Sequence, residues 1–253
     1  LEVTLLGQNV NSYGRDRYGE PRFAALLRQV AGTGIQRIRF ATSHPKDLSD
    51  DTIAAMAGLP AMMPFLHLPV QHGSDRILQA MNRRYTRETY LERIAAVREQ
   101  VPDIALSTDI IVGFPGETEE DFSQTLDLIQ RVGFDHAFTF IYSKREGTPA
   151  AALADTVPRE VAQERFDRLA LLVRDLSYAA NEREVGLVRS CLIEGASRRD
   201  ESVLSARTPH NRLVHVTLGS ADDARDYQGT VRDIRITGAH PWFLSGEFTD
   251  RTG

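Results

Sequence analysis

The chain has 253 residues, 26% of them charged, and a net charge of −5. That is room for one large folded unit or a medium and a small one, and whole-chain charge gives no support to nucleic-acid binding, which would need a local basic face. No stretch approaches the roughly 20 apolar residues of a membrane-spanning helix, and the single cysteine, Cys191, excludes an internal disulfide or an all-cysteine metal cage and fits a reducing cytoplasm.

The chain starts at Leu1, without methionine, and runs directly into Val3-Thr4-Leu5-Leu6, a predicted strand. No secretory leader is visible, and a core strand without any lead-in is expected to belong to a longer protein. Gly7-Gln8-Asn9-Val10-Asn11-Ser12-Tyr13-Gly14 follows as a polar loop. Phe23, Leu26, Leu27 and Val30 recur at helical spacing; Ile35, Ile38 and Phe40 mark a second strand running into Ala41-Thr42-Ser43-His44-Pro45. Ser49 is placed to cap a short helix carrying Ile53 and Met56. Phe65 to Val70 reads as a third strand ending in Gln71-His72-Gly73-Ser74, and Leu78 and Met81 as a short helix closed by Asn82-Arg83-Arg84. Thr86 caps a longer helix with Tyr90, Ile94, Val97 and Val101 on one face.

Ser107-Thr108-Asp109-Ile110-Ile111-Val112-Gly113-Phe114-Pro115-Gly116-Glu117-Thr118 organises the rest. It opens as a short β-branched run of the kind buried on both faces of a parallel sheet and is stopped by the Gly113–Gly116 turn. Thr118 and Asp121 then offer a capping box for a helix with Phe122, Leu126 and Ile129 on its buried face. A fifth strand is expected over Phe134 to Tyr142, ending in Ser143-Lys144-Arg145-Glu146-Gly147-Thr148-Pro149. Strands and helices alternate at roughly 30–40 residues per unit, as in a parallel sheet or barrel. Polar residues gather after each strand, where α/β folds bind ligands. Five strands fall short of a closed barrel, so the sheet is either open or lacks its first strand.

Pro158 to Glu184 reads as one long helix, with Ala162, Phe166, Leu169, Val173 and Leu176 at three- and four-residue steps and Pro158 in its first turn. After Gly186 the texture changes to short strands separated by Gly, Asp and Ser, with no helix period. Roughly sixty residues in about five strands fit a small OB-like barrel. Arg198, Arg199, Arg207 and Arg212 fall between its early strands, as a cationic or merely solvated face.

Residue types narrow the chemistry further. His44, His67 and His72 match no zinc spacing. Gln8, Asn9, Gln71 and Ser74 are neutral polar groups suited to a ribose, an amino-acid moiety or a base edge. Arg83 and Arg84 suit a carboxylate or phosphate clamp, or water. Asp109, inside an apolar strand, needs a hydrogen-bond partner. There is no phosphate-cradling G-x-x-x-x-G-K-[ST] loop and no nucleophile elbow. The residues alone therefore describe a barrel with a small polar ligand at its rim and a small β-barrel appended.

Several strand-end motifs together resemble one family, the radical S-adenosylmethionine methylthiotransferases. They are Leu66-His67-Leu68-Pro69-Val70-Gln71-His72-Gly73-Ser74-Asp75, Met81-Asn82-Arg83-Arg84-Tyr85-Thr86, the Asp109–Thr118 stretch and Gly147-Thr148-Pro149-Ala150. Leu5-Leu6-Gly7-Gln8-Asn9-Val10-Asn11-Ser12-Tyr13 resembles the branch acting on tRNA rather than the branch acting on a ribosomal protein. The tail resembles a TRAM domain, with Ala206-Arg207-Thr208 where Gly-Arg-Thr is usual.

The resemblance implies an α/β fold: a partial (β/α) radical-SAM TIM-like barrel over 1–157, strands two to six; a connecting helix over 158–185; and a TRAM-like barrel over 186–253. It implies methylthiolation of C2 of N6-isopentenyladenosine next to the anticodon. A deoxyadenosyl radical from S-adenosylmethionine would take the C2 hydrogen, and a methylated sulfur would be inserted. By motif position Gln8, Ser43, Gln71, Arg84, Asp109 and Gly113 would surround S-adenosylmethionine, and Arg207 and Arg212 would meet tRNA phosphate. No catalytic side chain or metal ligand is assigned. The two 4Fe-4S clusters of the full-length enzyme need cysteine loops missing here; Cys191 matches no ligand, so the chain alone is expected to be inactive. Lys144 and Glu146 stand where the family commonly has prolines, and that loop is given no role. The implied partners are tRNA and an electron-donor protein, with no membrane, in a cytoplasmic monomer. An RNA-binding module without catalysis and a methylthiotransferase acting on a ribosomal protein remain as alternatives.

Overall fold

The computed structural model describes residues 1–144, 147, 150, 153, 156–219 and 223–249. The expectations for Arg145, Glu146, Thr148 and Pro149 lie outside these residues. Strand β1 (Glu2–Leu5) runs parallel to β2 (Arg37–Phe40), with Val3 opposite Ile38. Helices α1 (Arg15–Tyr18) and α2 (Phe23–Ala31) fill the crossover. Ile38 then pairs in parallel with Met62, its N–H donating to Ala61 O at 2.7 Å and its carbonyl accepting from Met63 N at 3.0 Å. That single bridge carries the sheet past α3 (Asp50–Gly58) to β3 (Phe65–His67), which pairs in parallel with β4 (Ala105–Val112), itself parallel to β5 (His136–Ile141). Helices α4 (Asp75–Ala80), α5 (Arg87–Gln100) and α6 (Glu119–Val132) complete the crossovers.

Spatial order therefore follows chain order across the five strands, and their C-terminal ends share one rim. One sheet face is the core: Ile38, Phe40, Leu66, Leu106, Ile110 and Val112 are buried with Leu27, Ile53, Tyr90 and Phe122 from the helices. Side chains alternate along each strand, so the opposite face carries Arg37 and Arg39, His67, Ser107 and Asp109, and His136, Phe138 and Phe140. On β4 this alternation corrects the expectation of burial on both faces, because Asp109 and Ile111 are only half-buried. β3 is also shorter than expected, ending at His67 rather than Val70.

Helix α7 (Arg159–Glu182) packs on β5 and α6 and leads to the second unit. There β6 (Val188–Ser197), β7 (Asp200–Arg207), β8 (Leu213–Thr217), β9 (Val231–Ala239) and β10 (Leu244–Phe248) form a closed barrel ordered β10-β8-β7-β6-β9. A one-turn helix, α8 (Ala224–Tyr227), interrupts a stretch that has no helical period. Cys191, Ile193, Leu204, Val214, Ile234 and Leu244 make its core.

The two units are tied by buried arginines. Arg37 Nη2 donates to Ser190 O at 2.7 Å. Arg39 Nη2 and Nη1 donate to Thr208 O and Pro209 O at 2.8 and 2.9 Å, and its Nε to Glu2 Oε1 at 3.1 Å. Among the described residues no helix is long and apolar enough to cross a membrane.

Candidate cofactor-binding site at the strand ends

At the C-terminal ends of β3, β4 and β5 lies a cavity of about 640 Å³, lined by Gln71, Arg83, Asp109, Phe114, Phe140 and Tyr142 among others. Gln71 enters it from a left-handed backbone conformation, φ 72°, fixed by its N–H donating to Asp109 O and its carbonyl accepting from Ile111 N, both at 2.9 Å. Thr42 (φ 64°) and Asn82 (φ 57°) hold the same conformation at the ends of β2 and α4. For a β-branched residue such as Thr42 this is a strained arrangement, and such strain gathers at ligand sites.

His67 lies beside Asp109, its Nε2 3.6 Å from Asp109 Oδ1, a separation longer than a hydrogen bond, while its Nδ1 lies 2.8 Å from Ser107 Oγ. The half-buried Asp109 carboxylate faces the cavity rather than a protein donor within hydrogen-bond distance among the described residues. Burial and the nearby Arg83 lower the pKa of His44. Burial pushes the Tyr85 hydroxyl up to about 12, so both rings are uncharged at pH 7. Buried polar atoms without a protein partner gather around this rim: Ser43 Oγ, Asn9 Oδ1, Asn11 Nδ2, Arg83 Nε and Tyr142 Oη. Such groups carry a desolvation cost that a polar ligand relieves.

Beneath the cavity the turn after β4 is fixed from below. Gly113 has φ 72°, and a Cβ there would lie 2.8 Å from Ala162 Cβ on α7. Its N–H donates to Glu117 Oε2 at 2.7 Å. Glu117 also accepts from Arg165 Nη1 at 2.8 Å and from His72 Nε2 at 2.9 Å.

The structure brings Gln71 and Asp109 together in the cavity, with Gly113 next to it. Ser43 is buried at the neighbouring strand end. Gln8 is exposed in the loop after β1. Arg84 is exposed and lines an adjoining groove of about 700 Å³ with Lys46, Asp75 and Tyr85; Arg83 borders both spaces. Of the arginine pair, the one facing the cavity is therefore Arg83, a distinction that adjacent letters in a sequence do not make. Phe140, from the exposed face of β5, and Tyr142, just past its end, also line the cavity, although the sequence marks this stretch only as a strand.

The two arginines expected to meet phosphate are already engaged. Arg207 pairs with Glu194 through two bonds of 2.9 Å. Arg212 has only 10% of its side chain exposed; it bonds Asn181 Oδ1 at 2.7 Å and pairs with Asp135. These bonds tie the barrel to the sheet and leave Arg212 little free surface for the phosphate contact expected of it.

Among the described residues no group of His, Cys, Asp and Glu is arranged to hold a metal ion. The one cysteine, Cys191, is fully buried in the second unit, where burial raises its pKa to about 12. The thiolate donors of an iron–sulfur cluster are therefore not provided by these residues, whereas the cavity, with rings in its wall and the unpartnered Arg83 Nε and Tyr142 Oη among its lining residues, fits a nucleotide.

Comparison with known proteins agrees with this geometry. The chain is 50% identical over 246 residues to the tRNA-2-methylthio-N(6)-dimethylallyladenosine synthase of Acetivibrio thermocellus, covering 97% of this chain and 50% of that protein. It is 55% identical over 247 residues to the enzyme of the same name from Caldicellulosiruptor saccharolyticus, covering 97% of this chain and 51% of that one. The chain thus spans about half the length of the curated relatives it matches. Coproporphyrinogen III oxidase from Escherichia coli shares the fold, with a TM-score of 0.50 at 14% identity, over 74% of this chain and 51% of that one. Residues 2–129 match the family profile of the Radical SAM superfamily, and with a parallel sheet whose strand ends carry a cavity of nucleotide size, the chain belongs to that superfamily.

Proposed function

We propose that this chain is the S-adenosylmethionine-binding and RNA-binding part of a tRNA methylthiotransferase, which methylthiolates C2 of N6-isopentenyladenosine next to the anticodon. The observation that carries the reading is identity of about half over 97% of the chain, through both the sheet and the appended barrel, to synthases of that name. We read the sheet as part of a TIM-like barrel and the appended unit as a TRAM-type, OB-like barrel, with divisions at 157 and 185.

In this reading S-adenosylmethionine lies across the strand ends and supplies the sulfonium nucleotide. Gln71 and Asp109 hold its polar groups, with Ser43 and Gln8 from the neighbouring strand ends. Gly113 lets the turn approach closely, and Arg83 with Arg84 supplies positive charge for a carboxylate. Phe140 and Phe114 exclude water from the nucleoside side. In this reading the cluster ligands lie outside these residues, electrons come from a separate donor protein, and the side chains of this chain bind and orient.

The test is turnover by the full-length gene product, with unmodified tRNA and with ribosomal protein as competing substrates. Mass spectrometry of the digested tRNA is expected to show 2-methylthio adenosine, and an Asp109→Asn enzyme is expected to lose it. Modification of the ribosomal protein with untouched tRNA would overturn the assignment.

A further inference from the structure

A second cleft, of about 430 Å³, lies between the open face of the sheet and the appended barrel. Its wall is a run of rings. On β5, His136, Phe138 and Phe140 point to the same side, and Phe138 and Phe140 are 48% and 50% exposed. Trp242, in the β9–β10 loop, is 52% exposed and meets His136 edge to face at 5.5 Å. His136 meets Phe138 at 4.6 Å, and Phe138 meets His67 at 5.9 Å, both edge to face. Each such contact seats one ring's edge on its neighbour's face, and the half-exposure of Phe138 and Trp242 leaves ring surface open to a ligand. Burial, with His67 beside it, lowers the pKa of His136, so its ring is neutral at pH 7.

The cleft is rich in ring faces and poor in free charge. Arg207 and Arg212 line it, but Glu194 and Asp135 neutralise them. A phosphate would find no uncompensated cation here, whereas a base finds π-faces together with the polar edges of Asn211 and Ser107. The cleft lies one strand step from the strand-end cavity, on the same face of β4 and β5. Ser107 and Asp109 are two residues apart on β4 and Phe138 and Phe140 two apart on β5, a step of about 7 Å.

We propose that this aromatic cleft takes an unpaired nucleobase of the RNA substrate, stacked against Phe138 and Trp242, beside the nucleotide presented to the strand ends. The proposal rests on the tRNA reading above and names how that RNA is held. Stacking on aromatic side chains needs a single-stranded base and tolerates its identity, so the cleft selects for loops over duplex.

Trp242 is the one tryptophan of the chain, so its emission reports directly on the cleft. The experiment titrates this chain with an RNA stem-loop carrying an unpaired loop and with a blunt duplex of the same stem. It follows tryptophan emission, and in parallel the anisotropy of labelled RNA with the wild type, Phe138→Leu and Trp242→Leu. The stem-loop is expected to quench emission saturably and the duplex to leave it unchanged. Each variant is expected to weaken the stem-loop about 5- to 150-fold, with duplex affinity and circular dichroism unaltered. Trp242→Leu lies in a loop and serves if Phe138→Leu fails to fold. Stem-loop binding without quenching, and unaltered by either variant, would overturn the base-stacking role while leaving the RNA reading standing; the cleft would then be the seat of a protein segment. No binding to either RNA would remove both.

Discussion

Glu117 has no exposed side-chain surface, yet it carries a carboxylate that three donors share. Ser74 N–H donates to His72 Nδ1 at 3.0 Å, so His72 Nε2 carries the ring proton and donates to Glu117 Oε1. Gly113 N–H and Arg165 take Oε2, which ties the turn beneath the cavity to the helix leaving the sheet. Glu117→Gln cannot satisfy this set: its amide nitrogen must face either His72 or the Gly113 and Arg165 donors, and the buried Arg165 keeps only its longer, 3.4 Å pairing with the exposed Glu119. Breaking a buried pair from one side costs about 3–5 kcal/mol, so the urea midpoint is expected to fall steeply; an unchanged midpoint would show the network to be dispensable. Little of this was legible in sequence. In sequence Glu117 is only a polar group after a strand, His72 is a histidine that matches no zinc spacing, and Arg165 lies between the apolar positions Ala162 and Phe166 with nothing to mark its partner. The contacts join residues 45 and 48 apart, and no local period encodes such pairings.

Helix starts were far more legible, because a cap is local chemistry. Thr118 and Asp121 form the expected capping box, and Ser49 accepts from Thr52 N at the start of α3. At Asp121, burial alone would raise the pKa, but hydrogen bonds from Arg76, Ser74 and Thr118 outweigh it and hold the carboxyl well below the usual range. Strand ends were less legible, as β3 illustrates. Leu68 N–H still reaches Ser107 O at 2.8 Å and Gln71 N–H reaches Asp109 O at 2.9 Å. Between them Pro69 has no N–H to give, and Val70 N–H donates at 2.9 Å not to a backbone carbonyl but to Thr108 Oγ1, which in turn donates to Leu68 O at 3.0 Å. A side-chain hydroxyl thus replaces a rung of the ladder, and an apolar run cannot disclose that. Thr108→Val keeps the shape and β-branching and removes only the hydroxyl. It leaves a fully buried N–H unpaired, a loss of about 1–3 kcal/mol, to be read as a lower urea midpoint with faster amide exchange at Val70. Wild-type stability in this variant would mean that water or a shifted backbone fills the place.

Whole-molecule organisation rests on arginines that sequence reading passed over. Ile38 and Phe40 announced β2, and the alternation of parallel strands into units was plain from spacing. Arg37 and Arg39, interleaved with them, gave no sign of their targets, carbonyls 153 to 170 residues away. Charge at Arg207 and Arg212 was visible, but its compensation by Glu194 and Asp135 depends on the docking of the barrel and was not. Arg39 is the centre of that docking: its guanidinium is buried, spans Thr208 O and Pro209 O, and is balanced by Glu2. Arg39→Met keeps the aliphatic stem and deletes every donor, leaving acceptors on both sides of the interface unpaired, a cost on the order of 3 kcal/mol. Because those bonds join two separate cores, the loss should uncouple them rather than unfold either. Trp242 lies in the appended barrel, whereas the helices that dominate far-ultraviolet dichroism cover the sheet, so the two signals report on different units. In the wild type the two unfolding curves should coincide, the mark of one cooperative transition. In Arg39→Met the tryptophan curve should separate from the dichroism curve. If the two still coincide, the units are held by apolar contact and the arginines only set their orientation.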